Sequence, residues 1–205
     1  ITRGAVFYPE REMRLSINPH EFIQYSREYV HNVLVVLGYK NGKINILDQV
    51  FSADCPSKSF DFFENPYAII VNRDPRDVYL LAKKVLSWQS LWMPTNDVKS
   101  FVKYYKCIRD NEEKSTSNIL RLNFEDLVYN FQETKLLLSA FLDISPSSLN
   151  NDVFKPEVSI NNTQLYYNAT GTVLDEILYI EDALKEYIID FSKYSMTPNR
   201  NTPIF

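Results

Sequence analysis

The chain has 205 residues, a formal net charge of −4 and two cysteines. The length suffices for one α/β domain with a substantial core. The acidic balance argues against broad nucleic-acid binding but permits a local basic pocket. Cys55 and Cys107 lie too far apart in sequence to read as a metal-ligand pair, and so sparse a cysteine content fits a reducing, cytoplasmic setting. No stretch reaches the length of a transmembrane helix and no signal peptide is visible, so no membrane span is expected.

Residues 1–17 carry weak signals. Asn18-Pro19-His20-Glu21 is a clear helix start, with a capping side chain, proline at the first helical position and an acid in the first turn. The helix is expected to end at Gly38, as a terminal glycine would impose. Gly38-Tyr-Lys-Asn-Gly42-Lys43 has the glycines and lysine of a phosphate loop but follows a helix and precedes a strand, the reverse of that motif, so it reads as a turn. Ile44-Asn-Ile-Leu47, with Asp48-Gln49 at its end, reads as a buried strand. Residues 57–64 read as a short helix.

Ala68–Val71 is an apolar run suited to a strand buried on both faces. Asn72-Arg73-Asp74 breaks it. Pro75 fits the first turn of the next helix and Asp74 its cap. Val78, Leu81, Ala82 and Val85 then recur at helical spacing to about Ser90. This is strand, sharp turn and helix, with an arginine where open α/β sheets bind ligands and where a helix N-terminus favours an anion. Trp88, Leu91, Trp92 and Met93 form an aromatic cluster that is either core or the wall of an acceptor pocket. A helix capped at Asp97 follows, then a third buried strand at Ile119–Leu122, a Glu125-Asp126 pair and an amphipathic helix over 132–142. The polar segment 150–170 reads as a mobile loop over the site, and 172–194 as a long last helix.

Two motifs carry a resemblance. Arg73-Asp-Pro-Arg-Asp77, between a strand and a helix, resembles the Arg-x-Pro-x-Asp signature with which the sulfotransferase family holds the 3′-phosphate of its sulfuryl donor, PAPS. Asn118-Ile-Leu-Arg-Leu-Asn-Phe-Glu-Asp-Leu127, followed by 134–144, resembles that family's strand, Glu-Asp-Leu turn and helix. Together they span about residues 44–144. The resemblance implies a single sulfotransferase-like domain over 1–205, α/β in class, in which a three-layer, mostly parallel sheet flanked by helices forms a P-loop NTPase-like sulfotransferase fold. The sheet would carry residues 44–49, 68–72 and 119–122.

It also implies a function: transfer of a sulfuryl group from PAPS to a hydroxyl of a carbohydrate or cell-surface precursor, without a metal. Arg73 would hold the donor's 3′-phosphate. Leu81 stands where the family uses a serine hydroxyl on that phosphate, and Lys83 or Lys84 would compensate electrostatically. Asp48 is the candidate general base; its structural alternative is a strand-end carboxylate capping backbone N–H groups. Glu125 and Asp126 would fix the turn before the next helix. The family's N-terminal phosphate loop has no counterpart before Asp48. Either that strand–loop–helix unit precedes Ile1 in a longer protein, which a first residue other than Met favours, or the chain is a catalytically inactive relative that binds a nucleotide or glycan.

Overall fold

In the computed structural model the described residues are 4–7, 13–16, 18–84, 93–148 and 154–198. They group into two compact units, Ile1–Pro66 and Tyr67–Phe205. Among them no helix is long and apolar enough to cross a membrane.

The first unit pairs β1 (Gly4–Phe7) with β2 (Met13–Ser16) in antiparallel register, Gly4 opposite Ser16. Residues 1–17 had given the sequence no strand signal. Helix α1 (Pro19–Val36) starts as expected: Asn18 accepts the His20 N–H at 2.9 Å. Gly38, at φ +97°, takes the left-handed conformation that ends a helix cheaply only at glycine. A 3₁₀ helix over Pro56–Phe62 packs on α1, with Phe22 edge-on to Phe62 at 6.3 Å, and Phe51 sits 5.1 Å from both Phe60 and Phe63.

The expected strand at 44–49 does not form. Its residues have no ladder partner, and a strand is held by its neighbour rather than by itself. The side chain of Asn45 instead bridges Lys40 N, Lys40 O and Lys43 O, closing the turn, and Gln49 sits at φ +55°. Ile46 is left 91 % exposed.

The second unit contains the other two expected strands. β3 (Ala68–Asn72) and β4 (Ile119–Asn123) pair in parallel, Ala68 opposite Ile119 and Asn72 opposite Asn123. This makes the unit a helix-rich α/β structure around a two-stranded parallel sheet. Between the strands lie α2 (Pro75–Lys84) and α3 (Val98–Asp110), the latter capped by Asp97, which accepts the Lys99 and Ser100 N–H groups. After β4 come α4 (Phe124–Tyr129), α5 (Phe131–Phe141), the single turn α6 (Pro156–Ser159) and α7 (Thr172–Ala183). β4 is buried as expected, whereas Ile69 and Val71 on one face of β3 are half-exposed.

The core forms where α2, α3 and α7 converge. Tyr79, Phe101, Ile180 and Leu184 are wholly buried there, and Tyr79 and Phe101 meet with ring centroids 5.0 Å apart. Ile177, Ile180 and Leu184 recur at helical spacing, so one face of α7 is apolar. A second cluster gathers Val128, Tyr129, Ile160 and Tyr194, with Tyr129 stacked on Tyr194 at 4.4 Å.

Two further expectations change. The polar segment is not a loose cover over 154–170: it runs as short helical turns with Ile160, Thr163 and Leu165 buried. The last helix stops at Ala183 rather than 194, because the chain beyond Leu184 extends to place Ile189 N–H on a buried carboxylate, that of Asp74. Of the aromatic cluster, Met93 packs against the core, while Trp88, Leu91 and Trp92 lie outside the described residues.

Ile180→Ala should cost about 2–5 kcal/mol, the usual range for emptying a buried aliphatic site. Leu178→Ala, on the 53 % exposed face of the same helix, should change stability by less than about 0.5 kcal/mol. Urea unfolding followed by far-UV circular dichroism compares the two; equal losses would mean that α7 does not pack by this face.

Candidate functional site

The chain concentrates buried charge where β3 and β4 both end. Asp74, Asp77 and Glu125 are each fully buried, and Arg76 nearly so. Each lies within two residues of a strand end or in the first turn of a helix, so the parallel pairing of β3 with β4 is what brings them together.

Asp74 is the hub. One carboxylate oxygen accepts the Arg76 N–H and Nε–H, both at 2.9 Å, which caps α2 as expected. The other accepts Arg76 Nη2 at 2.8 Å and Ile189 N–H at 3.1 Å. The planar fork of an arginine matches a carboxylate in this two-point manner. Arg76 continues to Glu181 of α7 at 3.1 Å and lies 3.7 Å over the Tyr166 ring. Burial works against the Arg76 charge, but the hydrogen bonds to Asp74 together with the charges of Asp74, Tyr166 and Glu181 outweigh it and raise its pKa.

Asp77 holds a different segment. Its two oxygens accept the N–H groups of Gln164 and Leu165, each at 2.8 Å. These bonds fix Gln164 in a left-handed conformation, φ +56°, unusual for a residue with a Cβ. Gln164 Nε2 donates to Tyr129 Oη at 3.0 Å, and that hydroxyl shares a 2.7 Å bond with Thr163 Oγ1. The polar side chains that made 150–170 read as a loop are therefore used to satisfy buried groups.

Glu125 joins the two sequence motifs. Its Oε1 accepts the Asp74 N–H at 3.0 Å, so a carboxylate from α4 fixes the turn between β3 and α2. The structural role expected of Glu125 is present, though it acts on the turn after β3 rather than the one beside it. Glu125 Oε2 is buried without a hydrogen-bond partner among the described residues. Asp126 turns outward to Tyr194 Oη at 2.7 Å, Asn123 Nδ2 at 2.9 Å and Lys193 at 3.6 Å.

Arg73 directly follows the carboxyl end of β3, with its side chain 19 % exposed. It is already engaged. One terminal nitrogen donates to Asn162 O and lies 4.0 Å from Asp77, and the guanidinium is 4.8 Å over the Phe124 ring. Its Nε has no hydrogen-bond partner among the described residues. Burial lowers its pKa, opposed by the nearby carboxylates of Asp77, Glu125 and Asp74. A cleft of about 490 Å³ opens at the same sheet edge, lined by Asn72 and Asn123, but Arg73 is not among its lining residues.

Of the other expected site residues, Lys83 is held within its own unit. Lys83 is eight residues past Pro75, roughly 12 Å along the helix axis, and is bound to Glu176 at 2.5 Å and Tyr79 Oη at 3.1 Å. Lys84 is the last residue of α2, beyond Lys83. Lys83 is thus committed to partners on α2 and α7. Leu81 packs against the apolar core. Asp48 belongs to the Ile1–Pro66 unit, exposed in a bend. Among the described residues no group of three or more His, Cys, Asp or Glu is placed to hold a metal ion.

The charge count sets the titration. Three buried acids face two arginines, with Glu181 half-exposed at the margin. Burial, then the charge of Asp74, pushes the Asp77 carboxyl up to about 7, against the pull of Arg73 and the Leu165 N–H. Burial raises Glu125 as well. A carboxyl whose pKa is raised on folding binds more protons in the folded state than in the unfolded chain. Stability should therefore fall as the pH rises from about 4 to about 7 and then level off. Asp77→Asn should flatten that slope, whatever it does to absolute stability. Urea unfolding at a series of pH values measures both; an unchanged slope would place the titration elsewhere. Arg76→Ala should cost about 3–5 kcal/mol by leaving Asp74 buried without its charged partner.

No protein-family model, curated protein or solved structure matches this chain, so what it does has to be read from its own side chains.

Proposed function

We propose that this chain carries the donor-binding edge of a sulfotransferase of the three-layer, mostly parallel P-loop type. It would transfer a sulfuryl group from PAPS to a hydroxyl of a carbohydrate or cell-surface precursor. The observation that supports this reading is the bond between the two motifs, Glu125 Oε1 to Asp74 N–H at 3.0 Å. That bond holds the β3–α2 turn so that Arg73 stands at the carboxyl edge of a parallel sheet, beside a helix N-terminus.

In this reading Arg73 exchanges its bond to Asn162 O for an oxygen of the donor's 3′-phosphate. The exchange replaces a neutral acceptor with a charged one, which strengthens the bond. The acceptor hydroxyl loses its proton to a general base as its oxygen forms the new S–O bond, and the S–O bond to the 5′-phosphate breaks on the opposite side of sulfur, leaving PAP. That leaving group needs backbone N–H donors or a cation; among the described residues no glycine-rich strand–turn–helix supplies them.

A second reading is a catalytically inactive relative that binds a nucleotide or glycan on the same scaffold. It is favoured by the closure of Arg73 on Asn162 O and Asp77, and by Leu81 where the family's hydroxyl would stand.

Calorimetric titration with PAP separates the two. Under the enzyme reading PAP binds, and Arg73→Ala weakens it by at least about tenfold, the worth of one charge-assisted hydrogen bond. Asp48→Asn should leave PAP affinity unchanged while lowering turnover by about 10²-fold or more. Failure of PAP to bind, or an Arg73→Ala variant of equal affinity, overturns the donor site.

A further inference from the structure

The cleft at the sheet edge does not end there. Asn130 and Glu133 line it and also line a second cleft of about 750 Å³, so the two meet across the start of α5. Each falls within the ~300–1,000 Å³ range of small-molecule sites. Both lie wholly within the Tyr67–Phe205 unit.

The two ends differ in chemistry. Charges on the sheet-edge side are close to balance: Glu112 lies 3.0 Å from Arg121 and 3.5 Å from Arg109, Asp126 lies 3.6 Å from Lys193, and Glu133 adds one further carboxylate. That leaves no strong field for a phosphate or a polyanion. Neutral hydrogen-bonding capacity is left over instead. The side-chain amides of Asn72 and Asn130 make no hydrogen bond to other described residues, although Asn130 occupies the capping position of α5. At the far end Phe131 and Phe154 face each other with centroids 5.6 Å apart and planes 31° apart, flanked by Met196. Apolar ring faces beside uncommitted amides suit a ligand that has both hydroxyl edges and C–H faces.

We propose that the two clefts form one saccharide-binding groove that holds neutral pyranose units, with Phe131 and Phe154 against the sugar faces and Asn72 and Asn130 on the hydroxyls. As an acceptor subsite the groove rests on the sulfuryl-transfer reading; as a saccharide site it does not. Its polar end starts at Asn72, immediately before Arg73, so a bound chain would reach toward the rim on which a donor sits.

Saturation-transfer NMR on the full chain tests this with cellotetraose as the neutral probe and tetragalacturonate as the anionic one, both without PAP. Cellotetraose should receive saturation at its ring C–H protons. Phe154→Ala should weaken it by at least about fivefold, the worth of about 1 kcal/mol of lost contact. Gln132 and Glu133 are exposed lining residues, so the Gln132→Ala, Glu133→Ala double variant spares folding; it should weaken binding by about threefold or more. No transfer to cellotetraose, or equal transfer in both variants, overturns the groove. A salt-sensitive preference for tetragalacturonate overturns the neutral ligand class. Because PAP is absent, these outcomes read separately from the PAP titration.

Discussion

The second unit is built around a carboxylate that has no access to water. Asp74 would be prohibitively costly to bury alone, and it is tolerated because four donors converge on its two oxygens. Those donors come from α2 and from the chain after α7. Satisfying one side chain therefore fixes the start of α2, the path of the described chain after α7, and through Arg76 and Glu181 the seat of α7. Glu125 adds β4's following helix to the same point by accepting the Asp74 N–H. The apolar core supplies the bulk of the driving force, but it is this hub that decides which way each element leaves the sheet.

The hub also constrains what Arg73 can do. Asp77 is committed to two backbone N–H groups of 164–165, and those bonds hold the 160–165 segment against the rim. Asn162 O then lies where it can accept from Arg73. A guest anion at this edge competes with a neutral carbonyl and meets the field of Asp77. Any charge on Asp77 opposes an anion, and any proton on it relieves that opposition. Any anion binding at this edge and the structural order of the unit thus draw on the same few buried groups, a coupling common where perturbed carboxyls cluster.

Much of the local structure was legible because its cause is local. A capping side chain, a proline at the first helical position and a glycine at the end act within a few residues, so α1, the β3–α2 turn and the Asp97 cap could be read directly. The apolar runs 68–71 and 119–122 were legible as strands because each is continuous and bounded by polar breaks. Ile44–Leu47 has the same appearance and fails, since nothing in four residues encodes whether a neighbour will present a ladder. Residues 150–170 misled in the opposite sense. Asparagines and threonines signal a loop when they face water, and here Thr163 and Gln164 turn inward to hydroxyl and carboxylate partners.

The sequence by itself determined the helix starts set by caps and prolines, the apolar runs 68–71 and 119–122 as strands, and the choice of Arg73 as the residue just past the first of them. Each follows from interactions spanning fewer than about five residues, whose geometry is fixed by covalent structure and backbone sterics. Only the tertiary structure decided that Asp74, Asp77 and Glu125 share one buried cluster, that Lys83 is bound to Glu176, and that Asn162 occupies the Arg73 guanidinium. Those outcomes depend on contacts between residues 51 to 115 positions apart, and no local pattern records which distant donor a buried carboxylate will find.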